Sequence, residues 1–81
     1  MKDIRVAADM TDRVIDTCNA PEKHTEYGKD HLHEMCHKII NGEITGDKAH
    51  RWLGWVQACV CIYGGATMDQ FKIINKRDLV V

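Results

Sequence analysis

Serine does not occur among the 81 residues, proline and phenylalanine occur once each, and no basic block breaks a near-even balance of 11 Lys and Arg against 12 Asp and Glu. The first absence removes serine-nucleophile chemistry. The third removes an extended nucleic-acid surface, because affinity for phosphates rests on clustered Lys and Arg. No apolar run is long enough to span a bilayer, and the opening Met1-Lys2-Asp3-Ile4-Arg5 lacks an apolar signal region. A cytoplasmic protein is therefore expected, with Cys18, Cys36, Cys59 and Cys61 as free thiols. Strand-like alternation is missing too, and with it any Gly-rich phosphate loop following a strand. No complete catalytic set emerges, so the expectation is a protein without catalysis of its own.

What is present reads as helix. Residues 3–18 carry Ile4, Ala7, Ala8, Thr11, Val14, Ile15 and Cys18 along one side, and Asn19-Ala20-Pro21 supplies a stop. Residues 19–28 hold the single proline and Gly28 and read as a connecting loop. A second helix over about 25–41 places Leu32, Met35, Cys36, Ile39 and Ile40 at i, i+3, i+4, i+7 and i+8, before Asn41-Gly42. The pattern predicts an all-α fold: a single helical domain over 1–81 with main helices at about 3–18, 25–41 and 45–63.

The third helix organises the rest. Thr45 is its expected N-cap, with Asp47 in the first turn and Ile44 and Ala49 at the staple positions. Trp52, Trp55, Val56, Cys59, Val60, Ile62 and Tyr63 cover more than half its circumference, and Trp52 is the expected core anchor. His50, Gly54, Gln57 and Cys61 make a narrow polar or small-residue stripe. Arg51, one turn before Trp55, is placed to lie over that indole. After Gly64-Gly65, Thr67-Met68-Asp69-Gln70 has capping-box spacing and starts a short helix over about 68–76, with Met68 and Phe71 facing inward. The tail from Arg77 to Val81 is expected frayed or laid over the core.

Lys48-Ala49-His50-Arg51-Trp52-Leu53-Gly54-Trp55-Val56-Gln57, a glycine turn, Thr67-Met68-Asp69-Gln70-Phe71-Lys72 and Asn75-Lys76-Arg77 together resemble the C-terminal half of small, largely uncharacterised bacteriophage and prophage proteins. Those carry an Arg-Trp-Leu-Gly-aromatic-aliphatic-Gln helix followed by a Thr-capped acidic helix ending in Asn-Arg. The resemblance covers about half of the chain, and Ala58 stands where the pattern has glycine. It implies a phage accessory gene, and so a host cytoplasm, rather than a reaction.

Three uses of these residues follow. The first is an interaction protein that binds and modulates a host protein, a defence or replication component, through His50, Arg51, Gly54, Trp55 and Gln57. The favoured use of the His50-Gly54-Gln57-Cys61 stripe is intrachain packing, with Gly54 admitting a close backbone and Gln57 hydrogen-bonding a neighbouring helix or loop; as function it would be a groove floor or a homodimer seam. The second is a binder of a small nucleotide-like ligand, with Arg51, Trp52, Trp55, His50 and Gln57 stacking and hydrogen-bonding. The third is zinc. His33-Glu34-Met35-Cys36-His37 matches the His-Glu-x-x-His zinc-peptidase pattern, with two histidines one helical turn apart, Glu34 to polarise a bound water and His24, His31 or Cys36 as a third ligand. The helical wheel puts His33 and His37 on the flank and solvent side, which favours a solvated face over a metal.

Overall fold

The computed structural model describes residues 3–78, with the backbone alone at 77 and 78. Four helices follow in order: α1 (Ile4–Ile15), α2 (Lys29–Ile40), α3 (Gly46–Ile62) and α4 (Met68–Asp78). The fold is all-helical, as the periodicity predicts. Three main helices and a short fourth pack together, and no strand occurs among the described residues.

Capping fixes the boundaries. Asp3 caps α1 by accepting from the Arg5 backbone N–H at 2.9 Å. At the far end α1 stops at Ile15, three residues short of the predicted limit, with Asp16 as its C-cap. Helix α2 starts at Lys29 rather than 25, because Pro21 and Glu22 carbonyls take the Lys29 and Asp30 amides and hold 21–28 as a separate loop. Both α2 and α3 end on glycine. Gly42 has φ 79° and Gly64 has φ 79°, and the flanking 6→1 bonds, Glu43 N–H to Lys38 C=O and Gly65 N–H to Val60 C=O, are each 2.9 Å. Thr45 occupies the N-cap of α3 without a side-chain bond. In α4 the capping box forms in full: Gln70 accepts from the Thr67 N–H at 2.8 Å, and Thr67 accepts from the Gln70 N–H at 3.1 Å. Arg77 and Asp78 continue that helix, while residues 79–81 of the expected tail lie outside the described residues.

The interior has two parts. The larger gathers Ile15, Cys18, Leu32, Met35, Cys36, Val56, Cys59, Val60 and Phe71. The smaller joins Ala7 and Ala8 of α1 to Ile39, Ala49 and Leu53. Ile40, Trp52 and Ile74 pack against both. Cys18, Cys36 and Cys59 are buried free thiols, as their positions predict.

Three inward assignments are corrected. Leu53, at 1% exposure, is the α3 core residue, whereas Trp52 is half-buried under Lys48, whose Nζ lies 5.3 Å from the ring centroid. That pair takes the place of the expected Arg51–Trp55 stack. Ile62 is 78% exposed and Met68 69% exposed, so both face outward. The common cause is that periodicity cannot say which side of a helix its neighbours cover, on α3 with its apolar residues on opposite sides or on α4.

Candidate functional site

Helix α3 divides the predicted partner-binding residues between two faces. Arg51, Gly54 and Trp55 are exposed, and with Ala58 and Ile62 they follow i, i+3, i+4, i+7, i+11 along one outward strip. His50 is also exposed. Gln57 is not: it is buried, and its role is internal. Trp55 is 44% exposed, and its indole N–H donates to the Glu26 carbonyl at 2.9 Å, tying the strip to the 21–28 loop.

Gln57 sits at the centre of a chain of polar groups. Its amide exchanges two hydrogen bonds with Asn75 of α4, both 2.8 Å, and its N–H also donates to the Thr11 hydroxyl at 3.2 Å. Thr11 in turn donates to the Ala7 carbonyl at 2.8 Å. One buried amide thereby links α3, α4 and α1, and no buried side-chain N or O lacks a partner among the described residues. The glutamine of the Arg-Trp-Leu-Gly-x-x-Gln segment and the asparagine of Asn75-Lys76-Arg77 are thus two halves of one contact.

Between α3 and α4 an open groove of about 300 Å³ runs beside the strip. Gly54, Ala58 and Cys61 line it with Ile62, Met68 and Phe71, and Lys72 contributes a cation. The lining is mostly apolar. Ala58, Ile62 and Met68 were not among the predicted site residues, since nothing local separates an outward isoleucine from an inward one.

The second feature lies across α1 and α2. His37 is on the solvent side, as the wheel predicts, but the flank at His33 is covered rather than solvated. The wheel uses the apolar stripe of α2 alone, and α1 brings acidic side chains over its edge. His33 Nδ1 is 2.6 Å from Asp12 Oδ1, and His33 Nε2 is 2.9 Å from Asp16 Oδ1. His37 Nε2 is 3.3 Å from Asp12 Oδ2. Asp12 and His33 are largely covered, whereas His37 is 59% exposed. Asp9, Asp12 and Asp16 form a readable i, i+3, i+7 acidic row on α1, but their partners are distant in sequence.

The other candidate zinc ligands are elsewhere. Glu34 pairs with Lys38 at 3.2 Å and lines a shallow hollow with His24, Asp30 and His31. His24 uses Nδ1 to accept from the Glu26 and Tyr27 amides. Cys36 is fully buried, and burial, helped by the Asp12 charge, pushes its thiol up to about 12. A thiol so held is neither a nucleophile nor a ready ligand. The peptidase-like pattern is therefore split, with its histidines facing Asp12 and its glutamate turned away.

Burial of the His33 ring disfavours its charged form, but the hydrogen bonds to Asp16 and Asp12, then their charges, outweigh this and raise its pKa above 6.5. The hydrogen bond to His33, then its charge, lowers Asp16 below 3.8. Two acceptors on two ring nitrogens suit an imidazolium, since neutral histidine has a single N–H. The stabilisation is full below the unfolded histidine pKa and fades as pH rises through the raised folded one. On the acid side it fades as pH falls through the lowered Asp16 value. In metal-free buffer, urea midpoints are expected to fall between pH 6 and 8, with the fall removed in His33→Gln. An identical slope in that variant would assign the dependence to another group.

Comparison with known proteins gives no match to a family model, a curated protein or a solved structure.

Proposed function

We propose that this chain is a phage-encoded, non-catalytic interaction protein that binds and modulates a host protein in the host cytoplasm through the outward strip of α3. The observation that carries this reading is the strip itself, where Trp55, Ala58 and Ile62 lie open beside the α3–α4 groove and Met68. Single exposed apolar residues are ordinary. A contiguous apolar strip with a Trp and an Arg on it is the composition of a binding surface. The resemblance of this same helix to phage proteins supports the origin.

Gly54 gives further support. Glycine inside an exposed helix costs about 1 kcal/mol relative to alanine. Among the described residues nothing lies within 4 Å of where its Cβ would stand, so their packing draws no benefit from the missing side chain. A partner backbone lying close to α3 does. The fitting occupant is an amphipathic helix of the host protein, its apolar side entering the groove and its acidic groups meeting Arg51 and Lys72. A nucleotide-like ligand has less support, since Gln57 and the Trp55 N–H already have internal partners and Trp52 lies under Lys48.

Gly54→Ala and Ile62→Asp test this. Gly54→Ala should stabilise the free protein by about 0.4–1 kcal/mol, a rise of a few degrees in Tm, while weakening capture of the host protein. Ile62→Asp should change stability by about 0.5 kcal/mol or less and abolish capture. A captured set unchanged in both variants defeats the proposal. A dimer in light scattering that Ile62→Asp dissociates would make a second copy the occupant instead.

A further inference from the structure

We propose that Asp12, His33 and His37 bind one divalent first-row transition cation, zinc being representative, and that Asp16 is the outer-shell acceptor that orients His33. This cross-helix site is independent of the α3 strip and needs nothing from it.

The geometry supplies the parts such a site requires. One nitrogen from each histidine and a carboxylate oxygen of Asp12 come within 4.8 Å of one another. Zinc bonds of about 2.0–2.1 Å in a tetrahedron set ligand atoms about 3.3 Å apart. His37 Nε2 is 3.3 Å from Asp12 Oδ2 and His33 Nδ1 is 2.6 Å from the other oxygen, Oδ1, so the carboxylate has to turn and open slightly for one oxygen to meet both rings through the cation. The donor set, two imidazoles and one carboxylate, suits first-row divalent cations rather than calcium or magnesium, which prefer all-oxygen shells.

The outer shell is the second, independent observation. A ligating histidine ordinarily donates its other N–H to a carboxylate or carbonyl, which fixes the tautomer and the ring. Asp16 already stands 2.9 Å from His33 Nε2 in that position. With Asp16 holding Nε2–H, the nitrogen that faces Asp12 and His37 is Nδ1, and the cation takes the place of the proton there. His37 is open to solvent, which provides the entry path and leaves remaining coordination positions to water.

The contact chemistry also limits what the site does. Glu34 is turned to Lys38, so it is not placed to take a proton from a bound water as in the peptidases that share the pattern. The cation instead ties α1 to α2 across residues 12 to 37, and acts as a brace.

The test is zinc titration against a chromophoric chelator, with the cobalt(II) visible spectrum as the signature of the ligand field. The full chain should bind one zinc. His37→Gln and Asp12→Asn should each weaken it by more than the roughly 10–100-fold that loss of an outer-shell partner costs. Asp16→Asn should fall within that 10–100-fold range and keep the cobalt spectrum, marking a positioning residue. Zinc should raise the Tm of the wild type and leave that of His37→Gln unchanged. Because His37 is exposed, that variant stays folded even if Asp12→Asn does not. Unchanged binding in His37→Gln overturns the proposal. So does binding lost in a His24→Gln, His31→Gln double variant, or a full chain that binds no more tightly than free imidazole.

Discussion

Leu53→Ala is expected to leave little folded protein at room temperature, while Trp52→Ala remains largely folded. Leu53 is 1% exposed and fills the smaller core cluster against Ala7, Ala8, Ile39 and Ala49. Three of those neighbours are alanines fixed to helix backbones, so they cannot reach into the space a lost isobutyl group leaves. Leu→Ala changes cost about 2–5 kcal/mol, rising with the cavity that remains, and poor collapse places this one in the upper half. A domain of this size holds about 5 kcal/mol in all. Trp52 is larger but keeps part of its ring in solvent, with Lys48 over it. Its truncation should cost less than the roughly 3–5 kcal/mol of a fully buried tryptophan. Urea unfolding followed by circular dichroism ranks the two. If Trp52→Ala proves the more damaging, the core runs through the indole and the assignment of Leu53 is wrong.

The second large effect is at Gly28. Its φ of −67° is open to any residue, so backbone conformation does not require glycine there. Space does. A Cβ would collide with the His24 backbone nitrogen and lie 2.5 Å from an Asp30 carboxylate oxygen and 2.7 Å from the Lys23 carbonyl carbon. Two of the three are main chain and cannot rotate aside. Relief requires 23–24 to retreat, against the Pro21 and Glu22 carbonyls that accept from Lys29 and Asp30. Gly28→Ala should therefore lose at least about 1–3 kcal/mol, the ordinary range for overpacking. Gly54→Ala makes the same chemical change with the opposite sign. Thermal melts of both variants, side by side, would expose an error in either assignment: equal shifts would mean that neither steric environment is as described.

Much of the fold was legible because it rests on local rules. The Thr67–Gln70 box, the glycine ends at Gly42 and Gly64 and the buried thiols all follow from spacing within one helix or turn. The misreadings share a different origin. Periodicity turns Trp52, Ile62 and Met68 inward because an apolar residue on α3 or α4 carries no mark of which neighbour covers it. The wheel places His37 correctly on the solvent side but gives no sign that His33 is covered, because the carboxylate that meets it, Asp12, arrives from α1, 21 residues earlier in sequence. The role of Gln57 was half legible. Its need for a partner is evident from a polar side chain on an apolar helix, but Asn75 and Thr11 are brought to it only by tertiary packing.

The indole of Trp55 has a further consequence. One side of it faces solvent on the α3 strip, and its N–H is held by the Glu26 carbonyl of the 21–28 loop. Indole emission depends on solvent access and on the hydrogen bond at that nitrogen, so one chromophore reads both places. The only other tryptophan is Trp52, three residues away but half-buried under Lys48. With Trp52→Phe as background, an occupant settling on the strip should blue-shift the Trp55 emission. Loosening of the loop, as in Gly28→Ala, should red-shift it. The molecule thus carries its own optical gauge, in which docking and loop opening pull the signal in opposite directions.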